Sequence, residues 1–125
     1  KRGPDVTPIQ KRPGFIKESV KFYHEDNFAR LPRLTMDWVA VEELHPDSYA
    51  LNVLTSYLTQ GKTAPFYKVL VEDKKLTSNV GMFNDTQEVA GQIGLAVVAF
   101  PDKDLDEVAA AINEAFAKFE KEGIS

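Results

Sequence analysis

The chain carries two histidines, His24 and His45, and no cysteine, so any metal chemistry would have to be built from imidazole and carboxylate groups. The histidines stand 21 positions apart; His24 is followed by Glu25 and Asp26, and His45 by Pro46 and Asp47. Structural and catalytic zinc sites need three or four convergent protein ligands, so His45 with Asp47 supplies at most part of a set. The stronger reading of that stretch is a helix entry, with the Asp47 carboxylate favouring the positive end of the helix dipole. Nucleophilic hydrolysis has no better support, because neither Ser48 nor Ser56 has a histidine and an acid at a spacing that reads as a triad. Gly61-Lys62-Thr63 matches the end of the phosphate-binding loop G-x-x-x-x-G-K-[ST], yet Ser56 stands where the first glycine is required and the segment joins helix to helix. Glu42-Glu43, Glu72-Asp73 and the run from Asp102 to Asp106 supply carboxylates, but charge runs at helix ends read as solvated faces. Trp38 reads as core. The side chains therefore nominate no catalytic, cofactor-binding or metal residue.

The elements that would have to position any site are clearer. Residues 45–80 predict two amphipathic helices hinged at Gly61 and feeding a strand. Tyr49, Ala50, Val53, Leu54, Tyr57 and Leu58 repeat at the spacing of one buried helical face. Gly61 ends that helix, since glycine takes the left-handed conformation without steric cost. Thr63 is the expected cap of the next helix, Pro65 suits its first turn, and Phe66, Tyr67 and Leu70 begin a second stripe. Upstream, Ser19 to Glu25 alternates Val20, Phe22 and His24 against Lys21, Tyr23 and Glu25, which predicts a strand. A second strand sets Leu34, Met36, Trp38 and Ala40 on one face and Thr35, Asp37 and Val39 on the other. Downstream, Thr77 to Phe83 and Gln92 to Phe100 predict two more strands, the latter apolar on both faces and so central, with Asn84 to Glu88 as turn. A last helix starts at Asp104 with Glu107, keeps Leu105, Val108, Ile112, Phe116 and Phe119 in period, and closes at Gly123. Leu95, Val97, Phe116 and Phe119 should be buried where the central strand meets it. The order β-β-α-α-β-β-α predicts an α+β domain: an antiparallel sheet of about four strands with helices packed on one face.

Composition excludes several classes of function. At 125 residues with 43% hydrophobic and 27% charged side chains, the chain suits one domain with its own core. A net charge of −4 and a pI near 5.2 argue against nucleic acid as a partner, since phosphate contacts need clustered Lys and Arg. Lys1, Arg2, Lys11, Arg12 and Lys17 form a basic segment that reads as a solvated tail. Residues 1–17 also hold three of the seven prolines and two of the seven glycines, so they are expected to form an arm or linker, with residues 18–125 as a partial domain. No apolar run approaches the ~20 residues of a membrane span. The first residue, Lys1, suggests a processed product or an excised fragment.

The helix pair, with Gly61-Lys62-Thr63 at the hinge and Phe66-Tyr67-Lys68-Val69-Leu70 after it, resembles the second domain of a half-molecule in the pitrilysin/insulysin family of zinc metallopeptidases, the inverzincins. The segments Asn27 to Leu34, Gln87 to Gly91 and Leu105 to Gly123 are similar to the family as well, so the likeness spans roughly Phe22 to Ile124. It implies the same α+β architecture and a zinc-bearing domain elsewhere in the same protein. Zinc and the His-x-x-Glu-His motif that holds it would lie outside this chain, and a peptide substrate would be enclosed between domains. In the family's substrate-binding version of this domain, an arginine follows the glycine hinge and a tyrosine lies seven residues later; aligned here, those positions are Val71 and Ser78. The departure implies a domain that follows the zinc-bearing one within the same half, the arginine and tyrosine coming from the other half. The alternative is a catalytically inert assembly module like the family's scaffold subunits in membrane complexes. Relatives of this type are often exported to the periplasm. The resemblance further implies an opening strand and helix with no counterpart here, which leads us to expect a homodimer or an arm folded over the gap.

Overall fold

The structure, a computed structural model, describes residues 2–12 and 14–124. Lys1 of the basic segment, Pro13 of the arm and Ser125 lie outside the described residues. The first regular element is strand β1 (Arg33–Ala40), followed by helix α1 (Pro46–Thr59), the short α2 (Pro65–Tyr67) with a π-helical continuation (Lys68–Asp73), strands β2 (Thr77–Thr86) and β3 (Gly91–Ala99), and helix α3 (Leu105–Glu122). The class is α+β. The described sheet has three strands rather than four, in the order β1-β3-β2, all antiparallel, with the doubly apolar β3 in the centre.

The predicted strand over Ser19–Glu25 does not form. The segment joins no ladder among the described residues and stays exposed. Lys21 and Tyr23, two residues apart, both reach Asp106 on α3. Polar anchoring replaces strand pairing.

Register puts Leu34, Met36, Trp38 and Ala40 of β1 on the same face as Ile93, Leu95, Val97 and Ala99 of β3 and Val80, Met82 and Asn84 of β2. The helices cover this face. Leu58, Phe66, Val69, Leu70, Leu95, Val97, Val108 and Ile112 form the buried core between the layers. Phe116 and Phe119 are half-buried rather than buried. Phe116 stands edge-on to Phe66 and to Trp38, at centroid distances of 4.8 and 5.9 Å, so α3 is keyed to both α2 and β1.

Three local expectations change. Tyr49 and Val53 are both 67% exposed; α1 buries Ser48, Thr55, Leu58 and Thr59 instead. Hydroxyls can go inward because their own helix satisfies them: Thr55 Oγ1 donates to the Asn52 carbonyl and Thr59 Oγ1 to that of Thr55. The second helix begins at Pro65 with Ala64 as its cap, and no side chain, Thr63 included, makes the capping bond. Finally, β2 runs on through Asn84 to Thr86 where a turn was expected, because Asn84 Nδ2 faces α1 and donates to the Ser48 carbonyl and to Asn52 Oδ1. Elsewhere the punctuation holds: Gly61 takes φ 87° just past α1, and Asp104 caps α3 by accepting from the Asp106 N–H at 2.9 Å, with Gly123 at φ 69° beyond its end.

Candidate functional site

His45 lies at the N-cap of α1, in extended conformation, and its Nδ1 accepts the backbone N–H of Asp47 at 3.1 Å. The same Nδ1 stands 3.7 Å from Asp47 Oδ2. The imidazole acts as a capping group, one of its two nitrogens being used. His24 is exposed in the arm, where the neighbouring Asp26 turns back to accept the Phe28 N–H at 2.8 Å. Among the described residues no group of three or more histidines and carboxylates could hold a metal ion. The donors among the described residues do not fit zinc.

The other nominated residues are dispersed. Gly61-Lys62-Thr63 forms an exposed link in which Ala64 N–H bonds back to the Gly61 carbonyl at 3.2 Å, so this amide does not point outward to cradle a phosphate. Beyond it a small cleft of about 130 Å³ is lined by Tyr57, Thr63, Lys68, Lys118 and Phe119. Of the carboxylates, Glu42 faces Lys11 at 3.6 Å and Asp106 faces Lys21 at 2.7 Å. Glu42 is held below the usual carboxylate range first by its own backbone N–H and then by Lys11. Asp106 is held below it by the hydrogen bonds from Lys21 and Tyr23, which in turn push the Lys21 ammonium upward. These groups fasten the arm.

Val71 and Ser78 both fall on irregular backbone. Val71 is half-buried in the π-helical turn, where Lys74 N–H reaches back five residues to the Val69 carbonyl. Ser78 is exposed in a bulge, one extra residue in β2 between the Thr77–Ala99 and Val80–Val97 pairs. Thr77 pins the bulge: its Oγ1 donates to the Val98 carbonyl at 2.6 Å and accepts the Asn79 N–H at 3.2 Å. Periodicity in the sequence shows neither irregularity. A valine side chain has no donor for a peptide carbonyl, and a serine hydroxyl stops short of a tyrosine's.

The architecture thus defines a helix-covered antiparallel domain in which the described donors do not assemble a metal centre. The sequence model of the peptidase M16 inactive domain matches residues 1–125, and the chain belongs to this family. Its fold is similar to a protease from Helicobacter pylori, with a TM-score of 0.73 at 20% identity over 80% of this chain and 24% of that one. It is similar also to a peptidase M16 inactive domain from Pseudomonas fluorescens, with a TM-score of 0.67 at 15% identity over 78% of this chain and 24% of that one. An inactive peptidase domain from Bordetella parapertussis gives 0.65 at 19% identity, over 74% and 50%. The chain therefore spans about a quarter of the length of the first two structures. No helix among the described residues is long and apolar enough to cross a membrane.

Proposed function

We propose that this domain is a zinc-free, substrate-enclosing part of a zinc metallopeptidase. It packs beside the zinc-bearing domain of the same protein, walls part of a peptide-holding chamber and contributes no group to the reacting atoms. Residues 1–17 serve as the linking arm and 18–125 as the domain proper. The observation that carries the reading is the match of residues 1–125 to the inactive domain of the family. The side chains at positions 71 and 78 support it, since a domain meant to grip substrate would carry hydrogen-bond donors of longer reach there. Hydrolysis would then belong to a domain with the His-x-x-Glu-His motif, whose two histidines would hold zinc and whose bound metal would supply Lewis-acid activation of water.

The test is reconstitution. The chain is produced alone and together with the zinc-bearing domain encoded by the same gene, and both preparations are assayed on a quenched fluorogenic peptide with and without chelator. The expected result is no turnover from the chain alone and chelator-sensitive turnover from the pair, well above the zinc-bearing domain alone. A pair no more active than that domain by itself overturns the enclosing role and favours an inert assembly module.

A further inference from the structure

Where the second half of α1, the start of α2 and the end of α3 come together, they leave the cleft of about 130 Å³. Its wall is apolar. The half-buried rings of Tyr57 and Phe119 meet there at a centroid distance of 6.0 Å, tilted by 52°, with the half-buried Pro65 beside them. Its exposed rim is charged, by the ammonium groups of Lys68 and Lys118 and the carboxylate of Glu122. A dry apolar cavity of about 150 Å³ holds a benzene molecule, so a space of this size suits one small apolar group, such as a leucine side chain.

Lysines elsewhere on the molecule find carboxylates: Lys11, Lys21 and Lys74 stand 3.6, 2.7 and 2.9 Å from those of Glu42, Asp106 and Glu114. Lys68 and Lys118 make no ion pair among the described residues, not even with Glu122 on the same rim, although the chain carries a net charge of −4. Two ammonium groups against one carboxylate leave the rim with a single uncompensated positive charge. Beside a partly enclosed apolar wall that charge is less screened than on open surface. One excess charge matches a monocarboxylate better than a phosphate dianion, and the wall gives an aliphatic group a surface to bury against. We propose that this cleft binds a carboxylate bearing a short aliphatic group. Lys68 and Lys118 hold the carboxylate, and the rings of Tyr57 and Phe119 cover the aliphatic part. The last residue of a peptide presents this chemistry, and so does a free carboxylic acid of the same size.

The test titrates the chain with N-acetyl-leucine, with N-acetyl-leucinamide and with an N-acetylated tripeptide ending in leucine with a free carboxylate. Binding is followed through the backbone amide signals of Lys68, Phe119 and Gly123 in nitrogen–proton correlation spectra. N-acetyl-leucine should shift these signals saturably, and the amide, which lacks the charge, should bind about tenfold more weakly. Lys68→Gln/Lys118→Gln should lower binding of the acid to the level of the amide, whereas Lys68→Arg/Lys118→Arg should retain it. Tighter binding of the tripeptide than of the single acid supports the site as one for peptide ends, and equal binding supports it as one for free carboxylic acids. The absence of saturable shifts overturns the proposal, as do equal binding of acid and amide, unchanged binding in the glutamine variant, or displacement of the acid by an equal concentration of inorganic phosphate. Signals of β1 and β3 that stay in place in both variants show that the fold is intact.

Discussion

Asp106 takes two donors on a single oxygen, and that arrangement sets a pH dependence. Its carboxyl lies below the usual range first because of the Lys21 hydrogen bond and then that of Tyr23. A depressed carboxyl binds fewer protons in the fastened state than in the free one, so the fastening is fully present above the free carboxyl's pKa of about 4 and is lost as pH falls through the fastened value. Cleavage after Phe15 and Phe22 by an acid-active protease should therefore stay flat from neutral pH down to about pH 4 and accelerate below it. In Asp106→Asn, cleavage should be fast throughout and lack that acid step. At the other nominated position, dialysed protein should retain no stoichiometric zinc by elemental analysis, because His45 caps α1 through Nδ1 and His24 has no converging partners. Removing that cap in His45→Ala should cost roughly 0.5–2 kcal/mol, read from a denaturant midpoint. The helix entry at this stretch was legible from Asp47 near the positive end of the dipole, whereas the capping by His45 itself was not. The Lys21–Tyr23–Asp106 cluster was not, since it joins residues more than eighty positions apart whose charges read locally as solvated.

Elements meet at two glycines of β3 in contrasting ways. A Cβ at Gly94 would fall 2.0 Å from Cζ of Phe83, its cross-strand neighbour, whose ring lies over the bare backbone on the uncovered face. A Cβ at Gly91 would fall 2.1 Å from the Val41 carbonyl oxygen. A ring can swing out into solvent, whereas a backbone carbonyl cannot move without dragging the end of β1. Gly94→Ala should thus cost less than Gly91→Ala, roughly 1 kcal/mol against 2–3 kcal/mol or more, measured by chemical denaturation. Strong periodicity made β1, β3 and α3 readable, and doubly apolar β3 could be placed at the centre. Periodicity misled where polar atoms were satisfied by neighbours: Thr55 and Thr59 bond within α1 and go inward while Tyr49 and Val53 stay out, and Asn84 extends β2 by bonding across to α1. It misled in the arm for the opposite reason, since alternation in Ser19–Glu25 specifies an extended chain and says nothing of a partner strand.

At the scale of the whole molecule, stability and the arm separate. The core is continuous from α1 through α2 and the π-helical turn to α3 and all three strands, and Phe66 sits in it fully buried against Phe116, which bears in turn on Trp38. Removing the Phe66 ring leaves a cavity touching both layers, so Phe66→Ala should destabilise the protein by roughly 3–5 kcal/mol. For a domain of this size that lowers the melting temperature by on the order of 10–20 °C. The arm contributes fastenings between exposed groups outside that core, where solvent screens the ion pairs. Lys21→Ala/Tyr23→Phe should therefore melt close to the parent while its arm is cut measurably faster, and Phe66→Ala should melt early with its arm still fastened below the transition. Calorimetry run beside limited proteolysis checks both. A double variant that melted as early as Phe66→Ala would show that these contacts belong to the cooperative unit of the domain.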